Sequence, residues 1–194
     1  WCGAGGWRLG MFTFPPQLRW LLDAMAVVAS ETFTSTSAPI QYAAIQAFTQ
    51  HREIDAQLLY SRRILKIVAD YTYRRLRDMY VYAPAPRGGF YLFPNFRYHK
   101  SRMEQRGITN SVELCRKILE DTGVALLPSF DFGRPSEELT ARLSYVDFDG
   151  EHALEVASTA YRDVPLDNSF LAQCCPRIIE AMDRLDVWIR KGSI

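Results

Sequence analysis

An α/β layer fold is what this sequence predicts. Three features point to it. Short apolar runs bounded by Gly and Pro alternate with segments of helical spacing. One helical pattern holds without a break from Ile54 to Met79. Hydrophobic residues make up 48% of the 194 positions, which is enough to bury a core and too many for a disordered chain.

The elements follow in order. Gly6 to Phe14 (GWRLGMFTF) has the texture of a buried strand with a glycine-rich entry, ended by Pro15-Pro16. From Gln17 to Ala29, apolar Leu18, Leu21, Leu22, Met25 and Val28 recur at helical spacing. The Ser/Thr-rich run SETFTSTSAP then predicts a loop. Pro39 suits the first turn of a helix to about Gln50. In the long helix that follows, Leu58, Leu65, Val68 and Tyr71 form the apolar face, and Arg62, Arg63, Arg74, Arg75 and Arg77 cover the rest. The run VYAPAPRGGFYLFPNF predicts a turn into a strand over Gly89 to Phe93. Ser111 to Asp121 is an amphipathic helix, with Asn110 or Ser111 as N-cap and Gly123 as C-cap. VALLPS and ARLSYV are short buried strands. A helix from Asp149 or Gly150 to about Tyr161 follows, and a last helix covers about Phe170 to Arg190.

Bulk properties exclude several classes. A net charge of +1 gives no long-range attraction to nucleic acid or an anionic membrane. The apolar stretch around Leu21 to Val28 is broken by Asp23 and is too short to span a bilayer. Cys2, Cys115, Cys174 and Cys175 form no CxxC pair and have no zinc-like His spacing, so reduced thiols in a cytoplasmic setting are expected. The opening WCGAGGWRLG has neither an initiator Met nor a signal-peptide pattern, and it predicts a piece of a longer protein.

Three constellations carry chemistry. In GGWRLG, glycines allow close backbone approach to an anion, and Arg8 offers a planar fork that suits phosphate. A half-buried structural arginine fits that pattern equally well. In PRGGFYLFPNF, Gly88-Gly89 predicts unusual backbone geometry before a core strand. The third is SFDFG followed by ARLSYV, which places Arg142 in an apolar strand, where an unpaired charge is costly. Two readings stand open there: an ion pair with Asp131 or Asp147, or an anchor for a ligand carboxylate.

Order and spacing together carry a resemblance. GGWRLG, then APIQYAA after a Ser/Thr loop, a long helix, GGFYLFPNF, LLPSFDFG and RLSYV resemble the succession in class I/II aminotransferases of the aspartate aminotransferase type. The resemblance covers essentially the whole chain. It implies pyridoxal 5′-phosphate (PLP) as cofactor and an amino acid and a 2-oxo acid as substrates of a ping-pong transamination. Arg8 is similar to the arginine that binds the PLP phosphate, and Arg142 to the one that grips the substrate α-carboxylate. The family's Schiff-base lysine lies eight residues before the phosphate arginine, one position ahead of Trp1. No catalytic residue is therefore expected in the chain, and the 194 residues alone are expected to have no transaminase activity. Either the chain is a fragment, or the sequence breaks at a lysine that carries PLP.

The resemblance also implies an architecture. Residues 1–50 would end the large PLP-binding domain and its sheet, 51–79 would form the interdomain helix, and 80–194 the small α+β domain. A homodimer is implied, with STSAPIQYAA near its interface. Other PLP chemistries on the same fold share the arginine anchors, among them carbon–sulfur lyases and aminocyclopropane-carboxylate synthase relatives. A non-catalytic PLP-binding or dimerisation module also stays open.

Overall fold

A computed structural model describes residues 5–33, 35–49 and 52–191. The chain divides into two compact units, Trp1–Leu59 and Tyr60–Ile194. The long helix runs through the division.

In the first unit, residues 5–8 form a turn and 9–15 are extended without a ladder. A 3₁₀ turn at Pro16–Leu18 leads into helix α1 (Arg19–Thr32), followed by α2 (Ala38–Phe48) and the first turns of α3 (Arg52–Asp78). The strand expected over Gly6 to Phe14 is not there, and Met11 and Phe12 are exposed. A strand exists only where a neighbour accepts and returns its backbone hydrogen bonds, and no described residue offers this segment a ladder. Helix α1 extends past Ala29 and takes Ser30 and Thr32 from the expected loop. Their hydroxyls donate back to the Val27 and Val28 carbonyls, both at 2.7 Å, which lets polar residues stay helical. Among the described residues of this unit only Ala44 is buried.

In the second unit, Ile64, Val68, Thr72 and Leu76 recur every four residues as the buried stripe of α3. Glu53 and Asp55 near its start and Arg75 and Arg77 near its end complement the helix dipole. Strand β1 is only Tyr91–Leu92, because Gly89 adopts φ +70° just before it and Pro94 follows. A 3₁₀ turn at Arg97–His99 enters α4 (Lys100–Gln105). Helix α5 (Ser111–Thr122) has the caps its sequence predicts. The Asn110 side chain accepts from the Glu113 N–H at 2.9 Å, and the Glu113 carboxylate accepts from the Thr109 N–H at 2.8 Å.

Strand β2 (Leu127–Pro128), a 3₁₀ turn (Ser129–Phe132) and β3 (Ala141–Ser144) follow. Leu127 is exposed, contrary to the buried strand expected there: β2 lies at a sheet edge and Leu127 faces out, while Leu126 is buried. Helix α6 (Gly150–Thr159) is N-capped by Asp149. The expected single helix over Phe170 to Arg190 is two, α7 (Asn168–Cys174) and α8 (Pro176–Arg190). Pro176 lacks an N–H and disfavours helical geometry in the residue before it, and Cys175 accordingly sits at φ −129°, ψ 41°.

The three strands form an antiparallel sheet in the order β1-β3-β2. Leu92, Ala141 and Leu143 on one face join a core with Leu114 and Ile118 of α5, Phe170 of α7, and Met182, Leu185 and Ile189 of α8. Helices α5 and α8 pack together, and α5 packs on β2. The second unit is thus α+β and mostly helical, with one sheet face covered by helices. Cys115, Cys174 and Cys175 are buried free thiols, and Cys2 lies outside the described residues.

Two consequences can be measured. Gly123 ends α5 at φ +75°, where an added Cβ would meet the Arg184 Nη1 at 3.3 Å. Gly123→Ala is expected to cost about 1–2 kcal/mol in a denaturant titration, the ordinary penalty of a left-handed L-residue. The second concerns the buried His99, whose Nε2–H donates to the Met79 carbonyl at 2.8 Å near the end of α3. Burial, with help from the Arg102 charge, holds this imidazole below its ordinary pKa. The unfolded chain therefore takes up the proton first. Stability is full above the unfolded-state pKa and falls as pH drops through it. Urea midpoints at pH 7.5 and pH 5 should differ less in His99→Gln, which keeps a neutral donor, than in the parent.

Candidate functional site

Sheet register places Arg142. Strand β3 pairs Ser144 with Tyr91 and Leu143 with Leu92 on one side, and Arg142 with Leu127 on the other. Side chains alternate across a sheet, so Leu143 and Ala141 face the core while Arg142 and Ser144 face away from it. Arg142 is half-buried on that open face.

Its surroundings are aromatic. The Arg142 guanidinium carbon lies 4.4 Å from the Tyr91 ring centroid and 4.5 Å from that of Phe132. Phe93 meets Phe132 edge-on at 5.6 Å, and Phe90 lies 4.4 Å from Tyr91. A guanidinium is weakly hydrated and stacks well on ring faces, so this environment can hold a charge in a strand without an acid. The ion pair with Asp131 or Asp147 that the sequence left open does not form. Asp147 pairs instead with Arg177 at 3.0 Å. Among the described residues the Arg142 side chain has neither a hydrogen bond nor a salt bridge. It is a planar cation with its in-plane donors uncommitted, the chemistry that suits a carboxylate.

The strand that carries Tyr91 is anchored from behind. The buried Tyr145 O–H donates to the Gly89 carbonyl at 2.9 Å, and its N–H donates to the Phe90 carbonyl at 3.3 Å. Burial pushes the Tyr145 phenol above its usual pKa, so it remains a donor across the physiological range. Gly89 takes a positive φ in this turn, while Gly88 does not.

Arg8 belongs to the other unit. The Arg8 N–H donates to the Gly5 carbonyl at 3.1 Å, closing a turn in which Arg8 itself has φ +58°. Non-glycine residues seldom hold that conformation without a reason. The side chain is exposed, not half-buried, and makes no hydrogen bond or ion pair with a described residue. The fold therefore places the two arginines in separate units, each without a side-chain hydrogen bond or ion pair among the described residues.

Sequence reasoning missed the rings. The sequence favours core packing over a pocket lining for Tyr91 and Phe93, whereas Tyr91, Phe93 and Phe132 are all partly exposed. Their signal is register: Tyr91, Phe93 and Arg142 fall on one sheet face only once β1 is paired with β3. No cluster of metal-ligating residues occurs among the described residues, and no described helix is long and apolar enough to cross a membrane.

Comparison with known proteins decides what kind of protein carries this site. The family model described as "Aminotransferase class I and II" matches residues 2–147, which include both arginines and all three strands. The chain belongs to the class I and II aminotransferases. An asparagine–oxo-acid transaminase of Streptococcus mutans is 31% identical over 72% of this chain, and an aspartate aminotransferase of Pyrococcus abyssi is 29% identical over 97%. The chain spans 33% and 39% of those two relatives, about a third of their length. Among solved structures, the aromatic aminotransferase of Pyrococcus horikoshii matches with TM-score 0.62 and 25% identity, over 96% of this chain and 39% of that one. An aspartate aminotransferase of Thermus thermophilus, at 23% identity, matches with TM-score 0.63 over 95% of this chain and 37% of that one. The aminotransferase fold of the aspartate aminotransferase type is thus present in part, as a mixed and mostly helical piece.

Proposed function

We propose that this chain supplies two anion anchors of a PLP-dependent aminotransferase, which moves an amino group between an amino acid and a 2-oxo acid. The observation that carries the reading is Arg142: a guanidinium over two rings, unpaired among the described residues, on the open face of the sheet in a class I and II aminotransferase. Arg142 takes the substrate α-carboxylate in a two-pronged contact and so orients the Cα–H bond. Arg8 takes the PLP phosphate. The donor set fits that group, since an exposed fork with no partner among the described residues follows Gly5 and Gly6 in a tight turn. Bound PLP supplies the electron sink for the pair left behind when the α-proton departs.

The domain reading goes with it: residues 1–50 complete the large domain, 51–79 bridge, and 80–194 form the small domain. The working protein is a cytoplasmic homodimer. The test is an assay of the full-length protein with PLP and a panel of amino donors. Turnover that requires a 2-oxo acid is expected. Release of ammonia or of a β-substituent without any 2-oxo acid would replace the transaminase with a lyase on the same anchors.

A further inference from the structure

Arg142 is held by rings rather than by acids, and the rings come from opposite sides. Tyr91 belongs to β1 and Phe132 closes the 3₁₀ turn after β2, and these two strands flank β3 on its two edges. Each ring is braced by a second ring from the β1 segment. Tyr91 rests on Phe90, and the β1 entry is tied to Tyr145 through Gly89 and Phe90. Phe132 meets Phe93 edge-on, and its turn is closed by Gly133, at φ +74°, whose N–H donates to the Phe130 carbonyl at 3.0 Å. Neither ring is a core residue: Tyr91 is 41% and Phe132 40% exposed. Two large aromatic side chains are thus kept half-open to solvent around one cation.

An acidic partner would hold Arg142 as firmly, but it would occupy the donors that a ligand needs. A ring face attracts the cation without consuming an N–H. We infer that Tyr91 and Phe132 are positioning residues: together they fix the plane of the Arg142 guanidinium and keep its N–H edge free for the carboxylate of the substrate. They touch no reacting atom and act only through Arg142. The inference rests on the carboxylate-anchor reading of Arg142 and goes beyond it by assigning two residues that set the anchor's geometry.

The test is a mutant cycle in the full-length holoenzyme. Tyr91→Leu and Phe132→Leu should each raise KM for both the amino acid and the 2-oxo acid by about ten-fold, the scale of a partly desolvated cation–ring contact. The kcat should stay within about two-fold of the parent, because Arg142 itself is still present. Tyr91→Phe and Phe132→Tyr keep a ring face and should restore the parental KM. In an Arg142→Ala background, adding Tyr91→Leu should change nothing further, and an amine donor that lacks a carboxylate should be used equally well by the parent and by either ring variant. A purely structural role would lower all of these together and would survive removal of Arg142, which overturns the inference. If Arg142→Ala raises KM but the leucine variants do not, the anchor stands and the clamp falls. If Arg142→Ala leaves KM unchanged, the anchor reading itself is wrong.

Discussion

Arg142→Ala is expected to lower kcat/KM of the full-length enzyme for amino acid and 2-oxo acid by roughly a hundred- to ten-thousand-fold. A two-pronged guanidinium–carboxylate contact makes two charge-assisted hydrogen bonds, each about 1.5–3 kcal/mol, and about 1.4 kcal/mol is one decade. Truncation also strands the substrate carboxylate against the faces of Tyr91 and Phe132, which offer it no donor on that side. Arg142→Lys should recover only a small part of the loss: an ammonium keeps the charge but cannot stack in the same plane or present a fork. The folded state should lose at most about 2 kcal/mol in either case, since Arg142 contributes two ring contacts and, among the described residues, no hydrogen bond or ion pair. Steady-state kinetics beside a thermal melt would show this. A kcat/KM within three-fold of the parent would rule out the carboxylate anchor.

How much of this was visible beforehand depends on whether the signal was local. Helix α5 was legible because its caps sit next to it in sequence: Asn110 reaches Glu113, and Gly123 supplies the left-handed turn. The break between α7 and α8 was also encoded locally, in Pro176, but the continuous apolar spacing on either side masks it. The expected strand over Gly6 to Phe14 shows the opposite failure. Apolar content says that a segment can be buried, and pairing decides whether it is; no described residue pairs with it.

The site divides in the same way. Arg8 and Arg142 stand out in sequence because a charge among glycines or strand residues is unusual. What surrounds Arg142 does not stand out, because Tyr91 comes from far upstream and Phe132 from across an intervening turn. Only the pairing of β3 with β1 on one side and β2 on the other brings those rings to one cation. The alternative partners, Asp131 and Asp147, carry the opposite charge, and Asp131 stands directly beside Phe132 in the sequence, so spacing alone does not tell the acid from the ring. Asp147 is drawn away by Arg177 of α8, a residue 30 positions further on.

Leu185→Ala is expected to destabilise the folded chain by about 2–5 kcal/mol, the cost of a buried leucine cavity. Leu185 is fully buried on α8, on the same stripe as Ile178, Met182, Trp188 and Ile189. It shares one core with Leu114 and Ile118 of α5 and with Leu143 of the sheet. Against a typical total of about 5–15 kcal/mol this is a large fraction, and it corresponds to a fall in Tm of about 5–15 °C. Val187→Ala, two residues on and 56% exposed, should stay within about 0.5 kcal/mol of the parent. The pair separates packing from helix propensity, because both replacements place alanine in the same helix. It also separates stability from chemistry: Leu185→Ala should reduce the amount of active enzyme recovered after heating and leave KM unchanged, whereas Arg142→Ala should raise KM and lower Tm by less than Leu185→Ala does. Equal melting temperatures for Leu185→Ala and Val187→Ala would mean that α8 does not close the core on which the covered face of the sheet rests.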